Sequence, residues 1–431
     1  MTTFQPLSAI AEVNSKVDLG DLPGDTLVSF VSMADVSESG QLVGRQVRRL
    51  EDVRVGYAPV AEGDILFAKI APCMEKGKGA HAVGLRNGIE FGSTEFHVLR
   101  AREPNDARFI YHWLQSPETR RKALAYMGGS AGRQRVQAMR FSRFRIPGIA
   151  PAEQTCIAAV PDTVDGAIAK TEAVIAKLKP VRAGLLHDLL TRGLDEHGQF
   201  RDPVAHPEQF QDSPLGRIPR EWEVTRLGDC SSLVTSGSRG WAAYYSDDGP
   251  IFPRIGNLTR EHINLQFDDV AHVQPPAGGE GARTRVEEGD ILISITAGLG
   301  IIGVIPPQFG DAYVNQHVAL VRPGQRVVSR WMGRFLASGP GSNQFRMLND
   351  SGAKAGLNLP AVESLWVALP TNEEQLAASE ALDGIDEAID SEERAARKLQ
   401  RLKSGLLSDL LTGRVRVPEG TLTPAGADQA A

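Results

Sequence analysis

The chain has 431 residues, room for two or three domains of ordinary size. Hydrophobic residues make up 42% and the formal net charge is -6, which is the composition of a globular chain and excludes a disordered or collagen-like one. Three cysteines, Cys73, Cys156 and Cys230, form no CxxC pair and are too few for a disulfide framework, so a reducing, cytoplasmic setting is expected.

Residues 1–20 carry Glu12 and Asp18 and no long apolar core, so no export signal is expected. Residues 1–150 form a first non-helical block, in which strand-like runs (Leu27–Met33, Ile65–Ile70, Phe96–Leu99) alternate with glycine-rich turns and a helical piece spans Asp106–Ala125. A helix of about 40 residues, some 60 Å long, is predicted from Glu153 to Arg192 within a segment 151–193. Its apolar positions Ile157, Val160, Val164, Ala167, Val174, Leu178, Val181 and Leu185 fall at spacings of three and four, with Thr171 the one polar interruption, and Pro180 is expected to kink it. A polar, proline-bearing connector follows over 194–219, then a second block over 220–370. There the longest apolar run, Ile291–Ile305, is too short and glycine-rich to span a bilayer and predicts two strands around Ala297-Gly298. A second long helix is predicted within 371–413, with the seam Ala381, Ile385, Ala388, Ala395, Leu399, Leu402 and Leu406, and 414–431 is expected to be a disordered tail.

The second half repeats the first. Residues 153–192 and 374–413 align without a gap at an offset of 221, matching Asp162 to Asp383, Asp165 to Asp386, Ile168 to Ile389, Leu178 to Leu399 and Leu185 to Leu406. The blocks match as well. Glu62-Gly63-Asp64-Ile65-Leu66 answers Glu288-Gly289-Asp290-Ile291-Leu292, Phe30 answers Phe252, Leu99-Arg100 answers Val321-Arg322, and Ile146-Pro147 answers Leu369-Pro370. The order is block, helix, block, helix, with loop lengths that vary on a shared scaffold. Each helix needs a partner for its stripe, and the other copy is the nearest candidate, so an intrachain coiled coil is expected. Duplication of this kind suits one job done twice on two targets.

The chemistry that is missing narrows the job. The Pro-Pro pairs, Pro275-Pro276 and Pro306-Pro307, precede Ala277 and Gln308, not the aromatic residue an amino-methyltransferase needs. Glu75-Lys76-Gly77-Lys78-Gly79 lacks the spacing of a phosphate loop, and the nine histidines form no HExxH. A nuclease built on Asp64, Glu75 and Lys78 would have the lysine three residues after the glutamate where two are needed.

What remains are basic, glycine-bearing loops. The clearest is Gly128–Arg135, with Ser130, Arg133 and Arg135, followed by Arg140, Arg143 and Arg145; a smaller one carries Lys76, Lys78 and His81. Ser236, Arg239, Trp241, Arg254, Asn257, Lys354 and Asn358 stand at related places in the second block. Glycines let a backbone approach phosphates, while arginine and asparagine are the residue types that read guanine and adenine edges. The bland alternative is a solvated basic face. Residues 1–150 hold 20 Lys and Arg against 16 Asp and Glu, net +4, whereas 194–370 hold 15 against 20, net -5, so charge alone favours nucleic acid in the first block only.

At these residues the chain resembles a known family. The paired repeat, the endings Gly184–Thr191 and Gly405–Thr412, Gly356-Leu357-Asn358-Leu359 before Leu369-Pro370, and Asp212–Pro219 look like the specificity subunit of type I restriction-modification systems. The resemblance covers essentially the whole chain. One departure is that the first block has Gly132-Arg133-Gln134-Arg135 where the second has Gly-Leu-Asn-Leu. The resemblance implies an α+β chain of two tandem α/β target-recognition domains separated by two long antiparallel coiled-coil helices, with a pseudo-two-fold internal repeat. It also implies that each domain reads one half of a split double-stranded DNA site. The helices, at Val164, Ile168, Leu178, Leu185, Ile385, Ile389, Leu399 and Leu406, would set the spacing and bind two modification (methyltransferase) subunits, with restriction subunits (translocase and nuclease) as further partners. No catalytic residue, metal or cofactor is then expected in this chain, and S-adenosylmethionine is expected in the modification partner. A self-contained restriction or modification enzyme and a coiled-coil adaptor without DNA are the alternatives.

Overall fold

The computed structural model describes residues 3–38, 40–128, 134–237, 239–267, 269–275, 278–350 and 356–417, with the backbone alone of Arg239, Glu280, Asn349 and Asp350. The chain divides into two compact units, Met1–Ala173 with Glu393–Ala431, and Val174–Glu392. The division falls inside both long helices rather than at their ends, because each helix half packs its apolar stripe into the core of a sheet block.

In the first unit, a four-stranded antiparallel sheet has the order Ala11–Val13, Phe96–Ala101, Ile65–Ala68, Gly79–His81. The inner strand Ile65–Ala68 is buried throughout because it lies between two cores: Ile65 and Phe67 belong to one, Leu66 and Ala68 to the other. A second four-stranded sheet runs Gln46–Arg49, Leu27–Val31, Ile89–Gly92, Ala58–Ala61, with Leu27–Val31 parallel to Ile89–Gly92. The single helix expected over 106–125 is two, Ala107–Gln115 and Pro117–Ala125. Asp106 caps the first by accepting from the Arg108 and Phe109 amides; Ser116 caps the second, with Pro117 in its first turn.

The second unit repeats the first sheet strand for strand, in the order Ser231–Ser236, Val318–Pro323, Ile291–Ser294, Ile302–Val304. The outer pair Glu223–Arg226 with Trp366–Leu369 answers Phe4–Pro6 with Arg145–Pro147. The connector is not merely polar: Phe210–Ser213 and Gly216–Pro219 form a hairpin whose Phe210 and Ile218 are buried, Ile218 in the core that holds Trp222, Leu189 and Leu190.

Both long helices are unbroken, Pro151–Thr191 and Asn372–Leu410, and the first continues through Pro161 and the expected kink at Pro180. Within the first unit, Ile157 and Ala158 share a core with Leu407, Leu410 and Leu411, and the Lys403 ammonium meets Asp165 at 2.7 Å. The Arg416 guanidinium grips Glu153, with its Nε 2.7 Å from one carboxylate oxygen. Partner numbers rise on one segment as they fall on the other, so the segments run antiparallel. The expected tail therefore holds fixed structure as far as Val417, whose amide also bonds Glu153. The second unit has the same sense, from Arg182 against Asp386 to the Leu194 amide on Glu374 at 2.7 Å.

The seam differs in phase from the one expected. Leu382, Asp386, Ile389, Ala396 and Leu407 are buried, one position beyond Ala381, Ile385, Ala388, Ala395 and Leu406, and Leu410 is buried as well. Ile168 is buried; Val164, Leu178, Leu185, Ile385, Leu399 and Leu406 are half-buried; Val174, Val181 and Leu402 are 41%, 59% and 51% exposed. The true stripe includes Asp386 and Lys403, charged residues that an apolar pattern skips and that are tolerated because each meets an opposite charge.

Candidate nucleic-acid interface

The repeated Glu-Gly-Asp motif turns the chain into the inner strand of each block. Gly63 and Gly289 both have φ 81°, a conformation that favours glycine. The next residue, Asp64 or Asp290, is fully buried and accepts an amide three residues back, Ala61 at 2.8 Å and Glu287 at 2.6 Å. Its carboxylate then takes a two-pronged bond from Arg100 or Arg322, all four distances being 2.8 Å. Burial pushes the Asp290 carboxyl above its ordinary value, against the pull of Arg322. This lock fixes the strand from which each block's tip loop projects.

In the first block that tip is residues 69–78. Arg120, buried, holds it from below, donating to the carbonyls of Met74 at 2.6 Å and Gly77 at 3.0 Å, and burial brings its guanidinium down to about 10. The segment around Arg135 lies alongside: the Val136 amide bonds the Lys69 carbonyl at 2.9 Å and the Ala71 amide bonds the Gln134 carbonyl at 3.3 Å. Two clusters more than fifty residues apart in sequence thus meet at one edge, with Lys69 joining Lys76 and Lys78. Arg120 and Lys69 carried no sequence signal, since neither lies in a glycine-rich run.

Several candidates turn out to be committed to the fold. Lys76 pairs with Glu38 at 2.7 Å, and Lys78 donates to the Met33 carbonyl at 2.8 Å. Arg135 grips Glu95 through bonds of 2.8 and 2.6 Å, and those bonds hold the Glu95 carboxyl below its usual range. The side chains of Arg140 and Arg143 are exposed and make no hydrogen bond or ion pair among the described residues; with Lys122, Tyr126, Phe144 and Arg145 they line a concavity of about 460 Å³. Ser130 and Arg133 lie outside the described residues.

In the second block the corrections are larger. Trp241, taken for a surface contact, is a core residue packed on Phe252 and Tyr313, because an indole gains most by burying its whole ring. Asn257 is buried and spent on three backbone groups, accepting from the Arg254 amide and donating to the Gln266 and Asp269 carbonyls. Arg254 pairs with Asp269 at 2.8 Å. Asn358 is exposed but caps the helix Leu359–Glu363 through the Ala361 amide. The Ser236 carbonyl accepts from Arg283. Lys354 and the Arg239 side chain lie outside the described residues. The tip here, residues 295–301, is held by the Leu357 amide on the Ile295 carbonyl at 2.9 Å, the counterpart of the first block's loop pairing. Among the described residues no cluster of His, Cys, Asp and Glu is fit to hold a metal, and no helix is long and apolar enough to cross a membrane.

Two blocks with the same sheet order, the same Asp–Arg lock and different loops at their tips, each running into a long helix, define a duplicated binding scaffold of mixed helix and sheet. No family model matches the chain. It is similar to the putative type I restriction enzyme MjaX specificity subunit of Methanocaldococcus jannaschii, 23% identical over 431 residues that cover 93% of this chain and 96% of that one. It is also similar to the type I restriction enzyme EcoAI specificity subunit of Escherichia coli, 36% identical over 143 residues; the match takes in 33% of this chain and 24% of that subunit. Its fold resembles that of the type I restriction-modification system S subunit from M. genitalium, with a TM-score of 0.60 at 16% identity, covering 95% of this chain and 96% of the other. The full-length curated homologues of this chain are named type I restriction enzyme specificity subunits.

Proposed function

We propose that the chain is the DNA sequence-specificity subunit of a type I restriction-modification complex, each sheet block reading one half of a bipartite duplex site. The observation that carries this reading is the pairing of a shared scaffold with divergent tips. The strand order and the Asp64–Arg100 and Asp290–Arg322 locks are the same, while residues 69–78 bear three lysines and 295–301 bear none. A scaffold kept while its loops vary is what two different base sequences require of one recognition mode.

The helices serve as spacer and as docking surface for two modification subunits, with restriction subunits added in a restricting complex. Val174, Val181 and Leu402, left exposed on the helices, support a docking role. The chain itself is non-catalytic and binds no cofactor; S-adenosylmethionine belongs to the modification partner.

Exchanging residues 1–150 for the corresponding block of a relative, in cells supplying the partner subunits, tests the reading. Mapping of methylated sites is expected to show one half-site replaced and the other kept. Both halves changing together would refute independent readout, and methyl transfer by the rigorously purified chain alone would refute the non-catalytic assignment.

A further inference from the structure

The second block is net negative, so it has no general attraction for a polyanion and any phosphate contact must be local. Many of its arginines are neutralised by carboxylates: Arg254 by Asp269, Arg285 by Asp311, Arg322 by Asp290, Arg326 by Glu223, Arg330 by Asp383. Two that are not stand together at the tip. Arg260 and Arg346, both exposed, flank a concavity of about 500 Å³ formed with Ala297, Gly298, Leu299, Ser342, Asn343 and Phe345, and no carboxylate among the described residues lines it. The Arg260 side chain is steadied by one bond, to the Leu299 carbonyl at 3.0 Å; the Arg346 side chain makes no hydrogen bond or ion pair among the described residues.

The tip is built for close approach. Gly298 and Gly300 have positive φ, as does Ala297 at 43°, and the turn sits so tightly on Phe345 that a Cβ at Gly300 would fall 2.5 Å from its ring. The amides of Ala297, Gly298 and Leu299 make no hydrogen bond among the described residues, so they remain available to an anion.

The first block gives an internal control. Its Ser32–Asp35 capping box answers the Arg254–Asn257 box of the second block, which places Glu38 where the second block has Arg260. At that place Glu38 bonds Lys76 on the tip loop, so the charge is cancelled; in the second block Arg260 bonds only a carbonyl and the charge is not. The two loops still meet at this place, but both members of the ion pair are gone: Arg260 stands where Glu38 does, and the tip that carries Lys76 in the first block offers a carbonyl in the second.

We propose that Arg260 and Arg346 with the Ala297–Leu299 tip form a phosphate clamp that holds the DNA backbone at the second half-site. The inference rests on the DNA-reading function proposed above and assigns to the second block a site distinct from the arginine cluster of the first. The clamp positions the duplex without reading bases, so removing it weakens binding to all sequences alike.

The test uses the full chain assembled with its modification subunits and a mixed-sequence duplex, with affinity measured against salt. The slope of log affinity on log salt is expected to fall by about 0.9 for each phosphate no longer neutralised, hence by nearly two in the Arg260→Ala/Arg346→Ala variant. The Arg260→Lys/Arg346→Lys variant is expected to keep the slope, and methylated-site mapping is expected to show unchanged base preference. An unchanged slope in the alanine variant overturns the clamp. So does an altered base preference at one half-site, which would mean base reading, or an equal weakening in the lysine variant accompanied by a lower unfolding temperature, which would mean a structural role. Failure of the unaltered complex to bind duplex DNA at all would instead overturn the proposed function, and the clamp with it.

Discussion

Replacing Arg322 with alanine strips the buried Asp290 of its countercharge. The Asp290 side chain is 1% exposed and Arg322 26%, and the Glu287 amide is the carboxylate's remaining bond. Breaking a buried pair by removing one partner costs about 3–5 kcal/mol; the arginine's partial exposure lets water replace some of its bonds, so about 2–4 kcal/mol is expected here. The cost is pH-dependent. Burial already raises the Asp290 carboxyl, and without Arg322 it rises further. A folded-state value above the unfolded one means that no penalty is felt below the ordinary carboxylate value of about 4, where both states hold the proton, and that stability is lost as pH rises through the raised value.

Urea unfolding followed by tryptophan fluorescence is the assay, since Trp222, Trp241, Trp331 and Trp366 lie in the second unit and only Trp113 in the first. Adding Asp290→Asn should restore most of the stability by removing the stranded charge. Arg100→Ala, with the same geometry, should destabilise the first unit by a similar amount. A destabilisation below about 1 kcal/mol at neutral pH, or one unchanged at pH 4, would refute the assignment of Asp290 as a buried, arginine-dependent carboxylate.

Asp386 has the opposite sign: burial pushes its carboxyl up, but the bonds from Arg182 and Arg334 outweigh that and hold it below its ordinary value. Its contribution is present above the ordinary carboxylate value and lost as pH falls through the lower folded one, so Asp386→Asn should be less stable at neutral pH and show a flatter acid limb in circular dichroism. Arg135→Ala should weaken DNA binding by leaving Glu95 unpaired, and Arg135→Ala/Glu95→Gln should recover it; no recovery would mean that Arg135 itself touches DNA. Four residues inserted between Ala395 and Ala396 add about 6 Å of rise and about 40° of rotation. Two base pairs add roughly 7 Å and about 70°, so methylated-site mapping is expected to show a spacer longer by one or two base pairs, and an unaltered spacer with full activity would refute the spacing role.

The duplication, the long helices and the strands at Ile65 and Ile291 were legible because their causes are local. Helical period, alternation with glycine turns and identity between two copies are properties of neighbouring residues, and Gly63-Asp64 repeats at Gly289-Asp290 because one turn geometry demands it. Side-chain employment is not local. Whether an arginine is free depends on a carboxylate that the fold brings in from elsewhere: Glu95 lies forty residues from Arg135, while Arg346 meets no acid among the described residues. For the same reason Asn257 and Trp241 looked like surface contacts until the fold surrounded them. The phase of the helix seam was decided by Asp386 and Lys403, which an apolar pattern rejects and which tertiary structure admits by placing Arg182 and Asp165 opposite. Sequence thus determined what is periodic and repeated, and tertiary structure decided which charges are cancelled and which are left for a partner.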